Sequence, residues 1–86
     1  MTIYLVDEPF VETAVSYASL DDNAHVVLLQ DAVYSATGIM ELDRIYVIED
    51  DVVRRGLGLK IPSRVNVITY DKLVQMMKKE KVINFL

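Results

Sequence analysis

The chain has 86 residues, enough for one domain, with 52% apolar residues, 26% charged residues and a net charge of −4. The absence of cysteine excludes a disulfide framework, a thiolate metal site and a thiol nucleophile. No apolar run approaches the ~20 residues of a membrane span, and the early acids Asp7 and Glu8 with no basic run before them are unlike a secretory signal, so a soluble, cytoplasmic protein is expected.

Four short apolar stretches each stop on acid, and each acid opens a helical pattern. Strand one is Thr2–Val6, ending at Asp7-Glu8. Pro9 suits the first turn of a helix, where a missing N–H costs nothing. Phe10, Val11, Ala14, Val15 and Ala18 then form an apolar stripe at helical spacing. Asp21-Asp22-Asn23 is turn chemistry. Strand two is about His25–Leu29, and its unbroken apolar run fits a parallel strand covered on both faces. A short helix is predicted from Asp31 to Thr37, with Gly38 left-handed just after its end.

Strand three is Arg44–Ile48. Asp50 or Asp51 caps a brief helix that Gly56 closes, and Leu57–Ser63 is loop. Strand four is Val65–Ile68. Asp71 caps the last helix, about Lys72–Glu80, with Leu73, Val74 and Met77 inward and Lys78, Lys79 and Lys81 favourably placed at its C-terminus. Val82–Leu86 is an apolar tail, read as a short edge strand or a segment docked on a neighbour.

Alternating strands and helices predict one domain over residues 1–86: a three-layer α/β/α fold with a mostly parallel sheet of four or five strands. A domain of this size buries only about 60% of its unfolded surface. With so many apolar residues and so few helices to cover the strands, apolar surface is left over, and an oligomer is expected. The charge is split. Residues 1–53 hold eleven acids and one base, Arg44, whereas residues 54–86 hold eight bases and two acids. A basic tail for nucleic acid is one reading. Head-to-tail complementarity between subunits is the other and is preferred, because the bases are spread through structured segments and an acidic protein repels phosphate at long range. No direct nucleic-acid contact is expected.

In open α/β sheets ligands bind outside the carboxyl ends of the strands. Asp7, Glu8, Asp31, Glu49, Asp50, Asp51 and Asp71 all fall there. Hard cations want carboxylate oxygens, so Asp7, Asp31, Asp50 and Asp51 are the candidates for a Mg²⁺ site, and a Mg²⁺-dependent enzyme is the corresponding functional reading. Helix capping explains the same acids without a ligand and is preferred, so no metal, no cofactor and no catalytic residue are expected. In Arg54-Arg55-Gly56-Leu57-Gly58-Leu59-Lys60 the glycines follow a helix instead of preceding one, which suits a C-cap and turn better than a phosphate loop. Arg54 and Arg55 are read as pairing with acids of a neighbour. His25, with no serine or second histidine beside it, is read as a surface residue. The five tyrosines are expected to bury their rings with the hydroxyl bonded. Tyr34, just past an acid, is the best candidate for a partner contact, although ordinary packing explains it equally well.

Three segments together resemble the DsrH/TusB family, the smallest members of the DsrE/DsrF/DsrH sulfur-relay group. They are Leu28-Leu29-Gln30-Asp31-Ala32-Val33-Tyr34, Tyr46 through Leu57 with its acids and Arg54-Arg55-Gly56-Leu57, and Val67-Ile68-Thr69-Tyr70-Asp71-Lys72-Leu73-Val74. Pro9-Phe10 is similar to the Ser-Pro-Phe turn after the family's first strand. The sequence departs from the pattern at Ala32, where the family usually has Gly, at Asp7-Glu8, in a short Thr37–Asp43 link, and in a tail ending Phe85-Leu86 where many members carry Trp. The resemblance implies an α/β/α fold and a non-catalytic role in cytoplasmic sulfur transfer, toward tRNA 2-thiouridine or related sulfur metabolism. The implied partners are cysteine-bearing DsrE/TusD-like and DsrF/TusC-like proteins, and the residues read from the sequence itself as partner-facing are Tyr34, Arg54, Arg55, Phe85 and Leu86. A stand-alone homo-oligomer of the same fold, with a binding or regulatory role, is the alternative.

Overall fold

The apolar stretches become the strands of one parallel sheet. The computed structural model describes residues 1–39, 42 and 44–86, so Met40, Glu41 and Asp43 of the Thr37–Asp43 link lie outside the described residues. The elements are β1 (Thr2–Val6), α1 (Val11–Ala18), β2 (Ala24–Leu28), a long 3-10 helix (Gln30–Thr37), β3 (Ile45–Ile48), α2 (Glu49–Arg54), a short 3-10 turn (Gly58–Lys60), β4 (Asn66–Ile68), α3 (Tyr70–Met77) and β5 (Lys81–Phe85). The strand order is β4-β3-β2-β1-β5, and every pairing is parallel.

This order decides which helix covers which face. Three successive crossovers step the same way across the sheet, and the last reverses to bring β5 beside β1. With right-handed crossovers, the first three helices lie on one face and α3 on the other. The two apolar clusters follow this division. Tyr4, Val6, Val26, Leu28, Ile45 and Val47 pack against Val11, Ala14, Val15, Ala18, Val33 and Val52. Ile3, Leu5, Val27 and Ile48 pack against Leu73 on the second face. The result is three layers, α/β/α, unequally filled.

The element ends correct several expectations. Pro9 precedes α1 instead of entering it, because Phe10 is the N-cap residue. The second helix is 3-10 throughout, and Gly38 at its end is right-handed, with φ −99°. Gly56 does take the left-handed conformation, φ +64°, where a Cβ would be strained. The acids do not act as caps. Among the described helices, a side chain caps only α3, and it is Thr69, whose hydroxyl accepts from the Lys72 N–H at 3.1 Å. Asp71 lies inside the first turn, as do Glu49, Asp50 and Asp51 in α2, where they oppose the dipole's positive end without filling the cap position. Thr69→Ala is therefore expected to cost about 1 kcal/mol, and Asp71→Ala less. Urea titrations of the two variants check this, and equal losses would refute it. Val74 is 55% exposed, so Leu73 carries the burial of α3, with Met76 and Met77 partly covered.

Candidate functional site

At the carboxyl ends of β2, β3 and β4 a polar cavity of about 510 Å³ opens to solvent. Gln30, Asp31 and Tyr34 enter it from the long 3-10 helix, Asp51, Arg54 and Arg55 from α2 and its end, and Tyr70 from the start of α3. It stands away from the β1/β5 boundary where the strand order reverses, the place an open α/β sheet ordinarily uses.

Asp51 organises this cavity. It is 2% exposed, the one buried charged residue among those described. A charge in such a place is tolerated only when paired and hydrogen-bonded. Its Oδ2 accepts from the Gln30 backbone N–H at 2.9 Å and from the Tyr70 hydroxyl at 3.2 Å. Arg55 approaches Oδ1 with Nη1 at 3.7 Å. Gln30 is left-handed, with φ 48°, an uncommon and costly conformation for a non-glycine residue. That backbone bend accompanies the amide's bond to Asp51. One carboxylate thus ties together the segments that leave β2, β3 and β4.

Arg55 forms the second tie. Its Nε and Nη2 both donate to Asp31 Oδ1, at 3.0 and 2.9 Å, and its Nη1 donates to the Asp51 carbonyl at 3.1 Å. Arg55 is therefore spent within its own chain, which corrects the expectation that it pairs with a neighbour's acid. The physical reason is proximity: α2 ends next to the 3-10 helix that carries Asp31. Arg54 and Tyr34 remain exposed at the cavity. The Tyr70 phenol is pushed above its ordinary range by burial first, then by the charge and hydrogen bond of Asp51. It stays a neutral donor to Asp51 at neutral pH.

The four acids proposed for Mg²⁺ are not gathered. Asp31 and Asp51 line the cavity with Arg55 between them, whereas Asp7 and Asp50 are not among its lining residues. Asp7 accepts the Glu8 N–H at 2.7 Å, and Glu8 accepts from the Ser35 hydroxyl at 3.1 Å. Among the described residues, no group of three His, Cys, Asp or Glu side chains is placed to hold a metal ion.

The tyrosines divide. Tyr4 is buried and donates to Asp21 at 3.2 Å, as expected, but Tyr17 is 60% and Tyr34 54% exposed. Tyr34 also borders a second open cavity of about 590 Å³ between α1 and the long 3-10 helix, floored by Val11, Val15 and Ile39. Phe85 is half-buried, stacked between Tyr4 and Tyr17 at ring-centroid distances of 5.9 and 6.0 Å, while Leu86 is exposed.

His25 is half-buried, not a surface residue, and its Nδ1 lies 3.1 Å from the Tyr46 hydroxyl. Burial first, then Arg44 and the N-terminal amine, lower its pKa, against a smaller raising effect of Glu80. A base whose folded pKa is lowered lends stability that is complete above its unfolded pKa, near 6.5, and is lost as pH falls through the folded value. Stability is thus expected to decline below about pH 6.5 in a part that His25→Gln abolishes. Urea midpoints of both proteins across that range check this. Parallel curves would exclude His25 as the cause.

The sequence reading missed the Asp51–Gln30–Tyr70 junction. One signal was available: Asp51 and Val52 stand three and four residues after the apolar Ile48, so the helical phase carries Asp51 toward the core side instead of the solvent side.

Comparison with known proteins gives one family: a family model described as "DsrH like protein" matches residues 8–82. No curated protein matches the chain.

Proposed function

We propose, because this chain belongs to the family of DsrH-like proteins, that it is a non-catalytic subunit of a cytoplasmic sulfur relay, packing against cysteine-bearing DsrE-type and DsrF-type partners. Members of the family usually work in complexes with other sulfur-relay proteins. A relay of this kind hands persulfide sulfur from one thiolate to the next, toward tRNA thiolation or related sulfur metabolism. The observation that carries the reading is chemical: the 86 residues include no cysteine, so the chain forms no persulfide of its own.

The cavity supports the same reading. Its buried carboxylate is held by the Gln30 N–H and the Tyr70 hydroxyl, and Arg55 by Asp31 and the Asp51 carbonyl, an arrangement that suits a fixed surface better than a poised nucleophile or base. The uncommitted groups are the Arg54 guanidinium and the Tyr34 ring, and arginine and tyrosine are the residue types that anchor protein interfaces. Arg54, Tyr34, Phe85 and Leu86 form the proposed partner-facing set. Arg55 contributes by holding the cavity wall in shape.

The test is co-expression of the tagged chain with DsrE-like and DsrF-like proteins from its own genome. The expected result is one complex that co-elutes through affinity capture and gel filtration. It is weakened by Arg54→Glu and Tyr34→Ala, and persulfide labelling falls on the partners. Capture of neither partner would refute the reading and leave a stand-alone homo-oligomer. Turnover of a thiol substrate by the isolated chain would refute its non-catalytic part.

A further inference from the structure

The sheet has two open edges, and they differ. β4 is a three-residue strand, Asn66–Ile68, and short edges are poor templates. β5 runs Lys81-Val82-Ile83-Asn84-Phe85, five residues with one charge and no proline or bulge to discourage pairing.

Its backbone polarity is fixed by β1. The Asp7 N–H donates to the Phe85 carbonyl at 3.0 Å, so the polar groups of Phe85 face β1. Backbone direction alternates along a strand, so Ile83 and Lys81 also face β1, whereas the N–H and C=O of Val82 and Asn84 face outward. Beside this edge, on the α1 side of the sheet, lies an open apolar hollow of about 250 Å³ lined by Tyr4, Tyr17, Ile83 and Phe85.

We infer that β5 pairs with β5 of a second copy of this chain, antiparallel about a two-fold axis at Ile83. In that register Val82 meets Asn84 of the other copy, twice over, and the outward groups of each pair form both ladder bonds. Ile83 meets Ile83, and each is set against the other's apolar hollow. The charges agree with the arrangement. Lys81, at the basic amino end of β5, comes opposite Phe85, whose carbonyl is bonded to Asp7 at the acidic carboxyl end. The two Lys81 side chains lie at opposite ends, so no like charges face each other across the pair. A two-fold contact of this kind closes on itself and yields a dimer with one continuous sheet, not a fibre. The pairing uses none of the residues that line the charged cavity, so it leaves Arg54 and Tyr34 free for relay partners and overlaps the proposed partner-facing set only at the β5 end, Phe85 and Leu86.

The test exploits the outward amides. Asn84→Pro removes an N–H that β1 does not use, on an exposed edge residue where proline is tolerated. Light scattering after gel filtration should give the wild type twice the 9.8 kDa chain mass at high micromolar concentration. Asn84→Ser should do the same, and Asn84→Pro should give the monomer mass with an unchanged circular dichroism spectrum. In the wild type, amide exchange at Val82 and Asn84 should slow as concentration rises, a readout that holds even where the proline variant fails to fold. A wild type that stays monomeric at every concentration would overturn the inference, as would a proline variant that still dimerises or exchange at these two amides that ignores concentration.

Discussion

Asp51→Ala is expected to lower the unfolding free energy by about 2–4 kcal/mol, because it deletes the acceptor shared by two donors at a nearly inaccessible site. The Gln30 N–H and the Tyr70 hydroxyl both lose their partner, and Arg55 loses one of its two carboxylates. The left-handed Gln30 backbone, a strain of order 1 kcal/mol, then stands without the hydrogen bond that offsets it. Against a total of roughly 5–15 kcal/mol for a domain, this is a large fraction. Asp51→Asn keeps an acceptor oxygen and should cost clearly less. Urea denaturation followed by circular dichroism measures both, and a loss below about 0.5 kcal/mol for the alanine variant would remove Asp51 from the account of stability. The variant also bears on the proposed relay role. Were the cavity only a structural knot, partner capture would fall no further than stability does.

Leu73→Ala should cost about 2–5 kcal/mol, the range for emptying a buried leucine site. Leu73 is the buried residue of α3, set against Ile3, Leu5, Val27 and Ile48 on the face that α3 covers. Its neighbour Val74, 55% exposed, should tolerate alanine within about 0.5 kcal/mol. The pair makes a controlled comparison, because both substitutions sit in one helix and differ chiefly in burial. Thermal melts showing similar shifts for the two would mean that α3 is not anchored through Leu73.

The parallel layered fold could be read from the sequence because its signal is repeated. Each run such as Ile3–Val6 or Val26–Leu28 is apolar at consecutive positions, which a strand covered on both faces requires. Residue-level capping could not be read in the same way. An acid after a strand looks alike whether it sits at the cap position or one step inside the helix, and Thr69, not Asp71, took the cap. The cavity was half legible. Asp31, Tyr34, Asp51, Arg54 and Arg55 were all singled out, but their grouping depends on which strands are neighbours. Tyr70 and Gln30 are separated by β3 and α2 in the chain and join only because β2, β3 and β4 lie side by side. Arg55 was assigned to a neighbour's acid because nothing in the sequence shows that Asp31 stands beside the end of α2.

The last strand lies next to the first, with Thr2 opposite Lys81 and Val6 opposite Phe85. During synthesis β1 therefore waits with one side unsatisfied until β5 has been made, after every other strand of the sheet. Contacts this distant along the chain are slow to form. Completion of the sheet consequently waits on the pairing most distant in sequence, and until then the growing chain carries an adhesive strand.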